Sequence, residues 1–411
     1  MPKPSGKRDY FAGRMAGMSR KPEHLLILLG VAATLGFSVW QALLNNYAIE
    51  QAAFTGREIG ILQSLREVPG FLAFTTVFVL LVLREQTFAI FAVSLLGLGV
   101  ALTGLMPSEY GLYFTTVLMS TGFHYFYTLQ QSLTLQWIEK ERAPEVMGRL
   151  SSASSIAALL AFGTVWAGVS WLELEYRTLY LLAGAAVIVL AVVVAVLFPT
   201  FPQEVPQRKH LLMRRRYWLF YALTFMAGAR RQIFVVFAGF LMVEKFGFSV
   251  SNIALLYLVN HVINSVAAPR IGRLIGRFGE RPMLTLEYSG LIIIFTAYAF
   301  VDTAWVAVIL YILDHVLFAM AIAIRSYFQK IADPADMASS AGVAFTINHV
   351  AAVVIPVLFG LVWLYSPSTV FLCGSAMAVV SLGLARLLPQ HPADGNEVRL
   401  PVLRIKLNRG S

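Results

Sequence analysis

Charged and polar residues occur as adjacent pairs inside long apolar stretches of this sequence. Arg66-Glu67 and Arg230-Arg231 bring guanidinium groups there, and three further pairs bring histidines: Asn260-His261, Asp314-His315 and Asn348-His349. Guanidinium groups bind carboxylates and phosphates through charge-assisted hydrogen bonds. Carboxylates and imidazoles take up and release protons. These residue types therefore predict anion binding and proton transfer, provided that the surrounding elements bring them together.

The surrounding sequence is too apolar for a water-soluble protein. Hydrophobic residues make up 58% of the 411 residues and charged residues 13%, whereas a typical soluble domain has about 25% charged residues. The mean hydropathy is +0.71. The 29 Phe and 16 Tyr exclude a disordered chain, and the one cysteine, Cys373, excludes an intramolecular disulfide. We therefore expect an integral membrane protein in a lipid bilayer and not an enzyme.

Twelve apolar runs are long enough to cross a bilayer, since a membrane-spanning helix needs about 20 residues. They lie near residues 24–45, 59–83, 87–106, 111–138, 147–171, 177–198, 217–243, 250–275, 283–301, 304–327, 338–365 and 367–388. A basic, Pro-rich linker at 199–216 separates a bundle of six spans at 24–198 from a second bundle at 217–388. Tails at 1–23 and 389–411 flank them. The sequence predicts an all-α polytopic membrane protein built from two six-helix bundles.

Basic residues indicate the orientation of these spans. Of the 32 Lys and Arg residues, 26 fall in the loops, tails and span ends on the side that holds both termini and three on the opposite side, while Arg66, Arg230 and Arg231 fall deep inside spans. Lys and Arg accumulate in cytoplasmic loops. We therefore expect both termini in the cytoplasm, and a bacterial cytoplasmic (inner) membrane as the location. The net charge of +10 is then an orientation signal, and no nucleic-acid partner is expected.

The two bundles share weak internal similarity at nearly constant offsets. Residues 54–62 match residues 248–256 at an offset of 194, and residues 140–147 match residues 330–337 at an offset of 190. Parallel six-helix repeats place a substrate site near the bilayer midplane, between the two repeats. The polar pairs at mid-span are therefore candidates for that site.

The eighth loop, at 272–281, carries the most specific motif. It resembles the loop signature G-x-x-x-D-R-x-G-R-R of the major facilitator superfamily, with matches at Gly272, Arg277, Gly279 and Arg281. Gly276 replaces the Asp, Glu280 replaces a basic residue, and the second loop lacks the signature altogether. The resemblance covers the whole chain. It implies two pseudo-symmetric bundles in a monomer, alternating access to a small-molecule substrate, and a gating role for the four matching residues.

The resemblance also implies that helices 1, 4, 7 and 10 line a central cavity, with helices 2, 5, 8 and 11 beside it. All the polar pairs fall on these eight helices. The expected substrate-binding residues are Arg230, Arg231, His124, Tyr127, Asn260, His261 and Asn348, and the expected proton-coupling residues are Asp314, Glu67 and His315. Adjacent residues on a helix point about 100° apart, so Arg230 and Arg231 cannot share one environment. Under the repeat offsets His124 corresponds to Asp314, which suggests that the two face each other and exchange a proton.

Structural alternatives stay open for several of these residues. Arg66-Glu67 is also explained as an ion pair that braces the second helix before a kink at Pro69-Gly70. The asparagines are also explained as interhelical hydrogen bonds. Asp314 is also explained as the partner in a permanent salt bridge to Arg230 or Arg231. Glu287, close to the cytoplasmic end of its span, is expected to snorkel to the interface.

These features favour a proton-coupled secondary transporter for a small organic anion, or for an amphipathic solute with an anionic group. A second hypothesis is an exporter of hydrophobic or cationic compounds, in which Asp314 and Glu67 attract the cation. A non-transporting assembly or sensory protein is a third, disfavoured because the sequence has no large extra domain. The sequence contains neither a P-loop nor an H-E-x-x-H motif. No ATP use, cofactor or metal is therefore expected.

The orientation is testable with reporter fusions. Because of the basic asymmetry, a reporter placed after Ser411 is expected to be active only if it works in the cytoplasm. The matched fusion in the loop at 106–109, which is predicted to face the opposite side, should show the reverse pattern. Activity of a periplasm-specific reporter at Ser411 would contradict the orientation.

Overall fold

The computed structural model describes residues 21–138, 143–202, 213–333 and 337–399. Twelve long helices account for most of these residues. They are α1 (Pro22–Ala52), α2 (Gly56–Phe71), α3 (Glu85–Thr103), α4 (Glu109–Trp137), α5 (Ala143–Leu172), α6 (Tyr176–Leu197), α7 (Arg215–Glu244), α8 (Val250–Phe278), α9 (Glu280–Ala299), α10 (Ala304–Ile331), α11 (Met337–Trp363) and α12 (Pro367–Arg386). The structure confirms the predicted all-α fold of twelve helices. By length and composition, ten of the helices in the described residues can cross a membrane. The remaining two of the twelve are α2 and α4, which carry Glu67 and His124.

Side chains at the loop ends fix where several helices begin. Thr55 forms a capping box with Glu58 at the start of α2, and Ser249 caps α8 by accepting a hydrogen bond from the Asn252 N–H at 3.3 Å. Such caps satisfy backbone N–H groups that have no partner within the helix. The two caps are 194 residues apart, as the offset between the bundles requires. The repeat seen in the sequence is therefore also a repeat in helix geometry.

Three helices depart from regular α-geometry next to ionisable residues. After Pro69 and Gly70, α2 continues as a 3₁₀ turn (Leu72–Thr75) and a short helical segment (Thr76–Val79). Directly after the arginine pair, α7 contains a π-helical turn (Ile233–Ala238), and α10 contains a 3₁₀ turn (Ala319–Ala321) shortly after Asp314. Proline and π-helical turns are common causes of kinks, and π-helical turns are frequent at functional sites.

The even number of helices brings both ends of the described chain to one side, which we call the terminal side; the other is the distal side. On the terminal side, the Trp137 indole donates a hydrogen bond to the Pro202 carbonyl at 3.2 Å, which ties the end of α4 to the segment after α6. Also on this side, Arg216 at the start of α7 pairs with Asp394 at 2.8 Å. The C-terminal segment therefore packs against the second bundle.

The two bundles meet through α2 and α11, and through α5 and α8. Gly60 of α2 lies directly against the backbone of Pro356 and Gly360, where a side chain would collide. One turn further, the Val357 N–H donates to Ser64 Oγ at 3.0 Å. Small residues allow such close approach of membrane helices. This contact runs along the distal half of α2.

The contact between α5 and α8 lies on the distal side as well. Ser170 and Ser251 share a hydrogen bond at 3.0 Å, and the rings of Phe162 and Tyr257 lie 5.4 Å apart. Towards the terminal side, by contrast, Gly148 of α5 has no atom within 4 Å of where a Cβ would be. The bundles are therefore closed against each other on the distal side, while Gly148, near the terminal end of α5, has no described residue of α8 against it.

Candidate functional site

Arg231 of α7 borders the space between the bundles. It is exposed although most of α7 is buried. It lies within electrostatic range of Glu67 and Arg66 in the opposite bundle and of Arg325 on α10. Its guanidinium lies 5.8 Å from the centre of the Phe318 ring. Arg231 is thus a cation presented to a water-accessible cavity deep in the molecule.

Arg230, its neighbour in sequence, points into the interior of the second bundle. It is 1% exposed and stacks over the Tyr288 ring at 4.4 Å. Its Nε donates to the Met226 carbonyl at 3.2 Å, while Nη2 lies 3.8 Å from Glu287 Oε1 on α9. The arginine pair is therefore divided between a cavity and a packed core, as the angle between adjacent helical residues requires.

Two carboxylates share the environment of Arg230. Glu287 is fully buried and Asp314 is 1% exposed. Asp314 lies within electrostatic range of both Arg230 and Glu287, and none of the four carboxylate oxygens has a hydrogen-bond partner among the described residues. The expectation that Glu287 snorkels to the interface is wrong, because the guanidinium of Arg230 gives it a partner inside the bundle. We call Arg230, Glu287 and Asp314 the buried triad.

A second cluster lies where α2, α4 and α11 meet. Arg66 holds Glu67 Oε1 through Nη2 at 2.5 Å and Nε at 3.1 Å. The other oxygen, Oε2, lies 3.9 Å from His124 Nε2 and 3.8 Å from His349 Nε2. His349 belongs to the second bundle and the other residues to the first, so the cluster spans the interface. We call Glu67, His124 and His349 the interface cluster.

Gly70 makes room for both imidazoles. A Cβ at this position would collide with the rings of His349 and His124. The rings lie 5.4 Å apart in an edge-on arrangement. The Pro69-Gly70 kink therefore does more than bend α2, because it lets two histidines from different bundles converge on one carboxylate.

The interface cluster is also the place in the described residues where a metal ion fits best. One donor atom from each of Glu67, His124 and His349 lies within 4.8 Å of the other two. Two imidazoles and a carboxylate are a ligand set that zinc and other divalent transition metals accept. The sequence alone predicted no metal, because these residues are far apart along the chain.

His124 and Asp314, which the repeat pairs with each other, lie in different clusters. His124 faces Glu67 and His349, whereas Asp314 faces Arg230 and Glu287. The expectation that His124 and Asp314 face each other is therefore wrong: the helices are equivalent, but each side chain is directed into its own surroundings. A proton-coupling role for Glu67 stays a prediction.

The other predicted residues lie at various depths around the cavity. His261 is exposed, with its ring 5.2 Å from Phe162, and His315 is half-buried, with Nδ1 3.0 Å from the Tyr311 carbonyl. The other three contact neighbouring helices. Tyr127 shares a hydrogen bond with Thr34 at 3.2 Å, and Asn348 lies against Gly228. Asn260 is buried, and its Oδ1 has no hydrogen-bond partner among the described residues. Substrate-binding and coupling roles for all of these residues stay predictions.

The signature loop turns at Gly279, whose φ of 85° favours glycine. Gly272 and Arg277 are exposed, and Arg281 is half-buried. The buried charged residue of the loop is Glu280, which stands where the family has a basic residue. The gating role of the four matching residues stays a prediction.

Glu280 and its repeat counterpart Glu85 make equivalent contacts. Glu280 pairs with Lys330 at 2.6 Å and accepts a hydrogen bond from Ser326 at 2.7 Å. Glu85, 195 residues earlier, accepts from Gln136 at 2.8 Å. Gln136 is 194 residues before Lys330, so these contacts of α4 and α10 follow an offset of 194 and not the offset of 190 found by matching the sequence. Glu85 joins the first turn of α3 to the last part of α4. Glu280 joins the first turn of α9 to the last part of α10. The first bundle therefore has this brace although its loop lacks the signature.

Sequence reasoning missed three residues that the structure brings to the cavity or the clusters. From the sequence, His349 is a mid-span histidine outside the expected site residues, Arg325 is a basic residue of the tenth loop, and Glu287 is an interfacial carboxylate. His349 reaches the interface cluster because Gly70 lies close to α11 and leaves room for its ring. A polar pair in the sequence does not show which of its members faces a cluster or the cavity.

Comparison with known proteins identifies the architecture. The sequence profile described as Major Facilitator Superfamily matches residues 25–356, and no curated protein matches the chain. A structure of the nucleoside transporter NupG has a TM-score of 0.73 at 16% identity, covering 89% of this chain and 99% of that one. The inward-facing, occupied structure of a bacterial homologue of the human lysosomal transporter Spinster has a TM-score of 0.72 at 13% identity, covering 98% and 100%. At these identities the similarity shows the fold alone.

The two arginines are expected to differ in their effect on stability. Arg230→Gln leaves two carboxylates buried without their cation, and should lower the free energy of unfolding by about 3–5 kcal/mol. Arg231→Gln, the matched control one residue away, removes a cavity cation and should change stability far less. The melting temperatures and folded yields of both variants in one detergent test this. Equal losses in the two variants would contradict the assigned environments.

Proposed function

The chain belongs to the major facilitator superfamily, and we propose that it is a proton-coupled secondary transporter of a small organic anion or of an amphipathic solute with an anionic group. It transports by alternating access between its two bundles. With the terminal side in the cytoplasm, as the basic residues predict, the described conformation faces inwards. The substrate then enters from, or leaves to, the cytoplasm through the opening on the terminal side.

The observation that carries the proposal is the exposure of Arg231 to the cavity between the bundles. A second cation, Arg325 on α10, stands near it, whereas Arg66 across the cavity is compensated by Glu67. A guanidinium forms two parallel hydrogen bonds with a carboxylate or phosphate, which fixes the orientation of the ligand as well as holding it. A positively charged, partly apolar cavity supports an anionic ligand with an apolar body.

The exporter of cationic compounds finds less support. It requires a carboxylate that is free to meet a cation in the cavity. Asp314 is enclosed in the buried triad, and Glu67 is held by Arg66 at 2.5 Å. The carboxylates assigned to that role are therefore already engaged, whereas Arg231 is not matched by a carboxylate within ion-pair distance among the described residues.

The charge balance of the buried triad supports coupling to protons. Two ionised carboxylates and one guanidinium would leave a net negative charge in a fully buried site, which is costly in a membrane. One proton on the triad removes that charge. Glu287 is the carboxylate at ion-pair distance from Arg230, so Asp314 is the better place for the proton. Asp314 is sealed in this conformation, so release requires rearrangement of α7 or α10, each of which has an irregular turn nearby.

The substrate class is tested by ligand screening and exchange. A thermal-shift screen of the purified protein against anionic and cationic libraries should give hits among the anions. For a hit, Arg231→Gln should weaken binding by at least about tenfold, since a charge-assisted hydrogen bond is worth about 1.5–3 kcal/mol, and Arg231→Lys should recover part of it. Hits confined to cations, or full binding by Arg231→Gln, would contradict the proposal.

Proton coupling is tested separately at Asp314. Asp314→Asn resembles the protonated side chain, so the variant should fold, bind and exchange substrate in proteoliposomes, yet lose accumulation driven by a pH gradient. Glu287→Gln is the matched control, because it removes the ion-pair partner of Arg230 and should mainly reduce stability. An unstable Asp314→Asn protein whose folded fraction still accumulates substrate along a proton gradient would rule out this role.

A further inference from the structure

The proposed transport does not explain why three polar side chains converge in the interface cluster without forming hydrogen bonds to one another. Glu67 Oε2 and the Nε2 atoms of His124 and His349 converge on one small space. The separations of 3.8 and 3.9 Å exceed the usual 2.7–3.2 Å of an N–H···O hydrogen bond. Neither imidazole therefore donates a hydrogen bond to the carboxylate, although all three side chains are about 90% enclosed by protein.

Hydrogen bonds on the far side of each ring fix which nitrogen carries the proton. His349 Nδ1 lies 3.0 Å from the Phe345 carbonyl, which can only accept. The hydroxyl of Ser120 donates to the Arg66 carbonyl, so it can only accept from His124 Nδ1 at 2.9 Å. Both Nδ1 atoms therefore carry a proton. In the neutral rings, both Nε2 lone pairs then point towards an anionic oxygen.

Three converging lone pairs repel one another unless a cation lies between them. Imidazoles whose Nδ1–H is bonded to a carbonyl or hydroxyl, with Nε2 directed at the site, are the usual arrangement of histidines that bind metals, because the outer hydrogen bond fixes the tautomer and the ring. Arg66 does not block the space, since it occupies Oε1 and leaves Oε2 free. The donor set, its orientation and its outer hydrogen bonds thus all suit a metal ion.

We propose that Glu67, His124 and His349 form a binding site for a divalent transition metal of the zinc class. Zinc binds imidazole nitrogen at about 2.0–2.1 Å and carboxylate oxygen at about 2.0–2.2 Å, which places tetrahedral ligand atoms about 3.4 Å apart. The separations of 3.8 and 3.9 Å between Glu67 Oε2 and the two imidazoles need to shorten by about half an ångström. The two Nε2 atoms, which lie within 4.8 Å of each other, need to approach as well. Three protein ligands leave a fourth position for water or an anion.

The site would act as a clamp between the bundles. Glu67 and His124 belong to the first bundle and His349 to the second, at the interface of α2 with α11. A metal ion held by all three requires that interface to stay closed, which is the distal-closed arrangement. A ligand that binds one conformation better shifts the population towards it. Metal binding is therefore expected to hold the transporter in this conformation and to slow its cycle, whatever the substrate is.

Metal binding is tested on the purified full chain with Co²⁺ and Zn²⁺. Co²⁺ should give the visible absorption of a low-coordinate nitrogen–oxygen site, and Zn²⁺ should displace it and raise the melting temperature. His124→Gln and His349→Gln should each weaken binding by at least about tenfold, as loss of a ligand removes more than loss of an outer partner does. His315→Gln is the matched control, because its Nδ1 also bonds a carbonyl one turn earlier. It should bind as the wild type does.

The clamp is tested by cross-linking at the other interface. In a Cys373→Ser background, Ser170→Cys and Ser251→Cys place two thiols where the hydroxyls lie 3.0 Å apart. With diamide as the oxidant, Zn²⁺ should speed disulfide formation several-fold in this protein. It should have no such effect when His349→Gln is added, although the same two thiols are present.

Two results would overturn the proposal. One is metal binding to the wild type no tighter than to His124→Gln and His349→Gln. The other is equal acceleration of cross-linking with and without His349. Each histidine is proposed to supply one ligand. If one of the two variants does not fold, metal binding to the other therefore decides the first result by itself.

Discussion

A charge inside a membrane is stable only when an opposite charge, a polar group or water compensates it, and the interior of this protein is arranged around that constraint. Arg66 is matched by Glu67, and Arg230 by Glu287 with Asp314 close by. Arg66 and Glu67 are neighbours on α2, whereas Arg230 and Glu287 belong to different helices and lie 3.8 Å apart, so those helices must pack in one register. Charge compensation therefore fixes where α7, α9 and α10 lie relative to one another.

The same constraint explains why adjacent arginines have different surroundings. Arg230 is compensated by protein and is buried, whereas Arg231 faces the cavity, where water and an anionic ligand can compensate it. The difference arises from helix geometry, because neighbouring side chains diverge by about 100°. A buried, compensated charge and a charge that faces the cavity can thus be adjacent in sequence.

The interface between the bundles combines close backbone contact with polar side chains. Gly60 and Gly70 let α2 approach α11, and Gly70 admits the imidazoles of His124 and His349 beside Glu67. Close contact alone would give a permanent interface. Under the proposal of a metal site, the interface cluster would make the stability of that interface depend on metal binding. This is how an interface that must open and close during transport can be controlled from within the membrane.

The sequence by itself determined the membrane environment, the twelve helices, the repeat and the divergence of Arg230 from Arg231, because each depends on local composition or on helix periodicity. Only the tertiary structure decided which arginine is buried, that Glu287 faces Arg230 instead of the interface, and that His349 joins Glu67 and His124. These contacts join residues far apart in sequence, and their geometry depends on helix rotation and on close approach at particular glycines. A single sequence contains the residues for such contacts but not the rotation that brings them together.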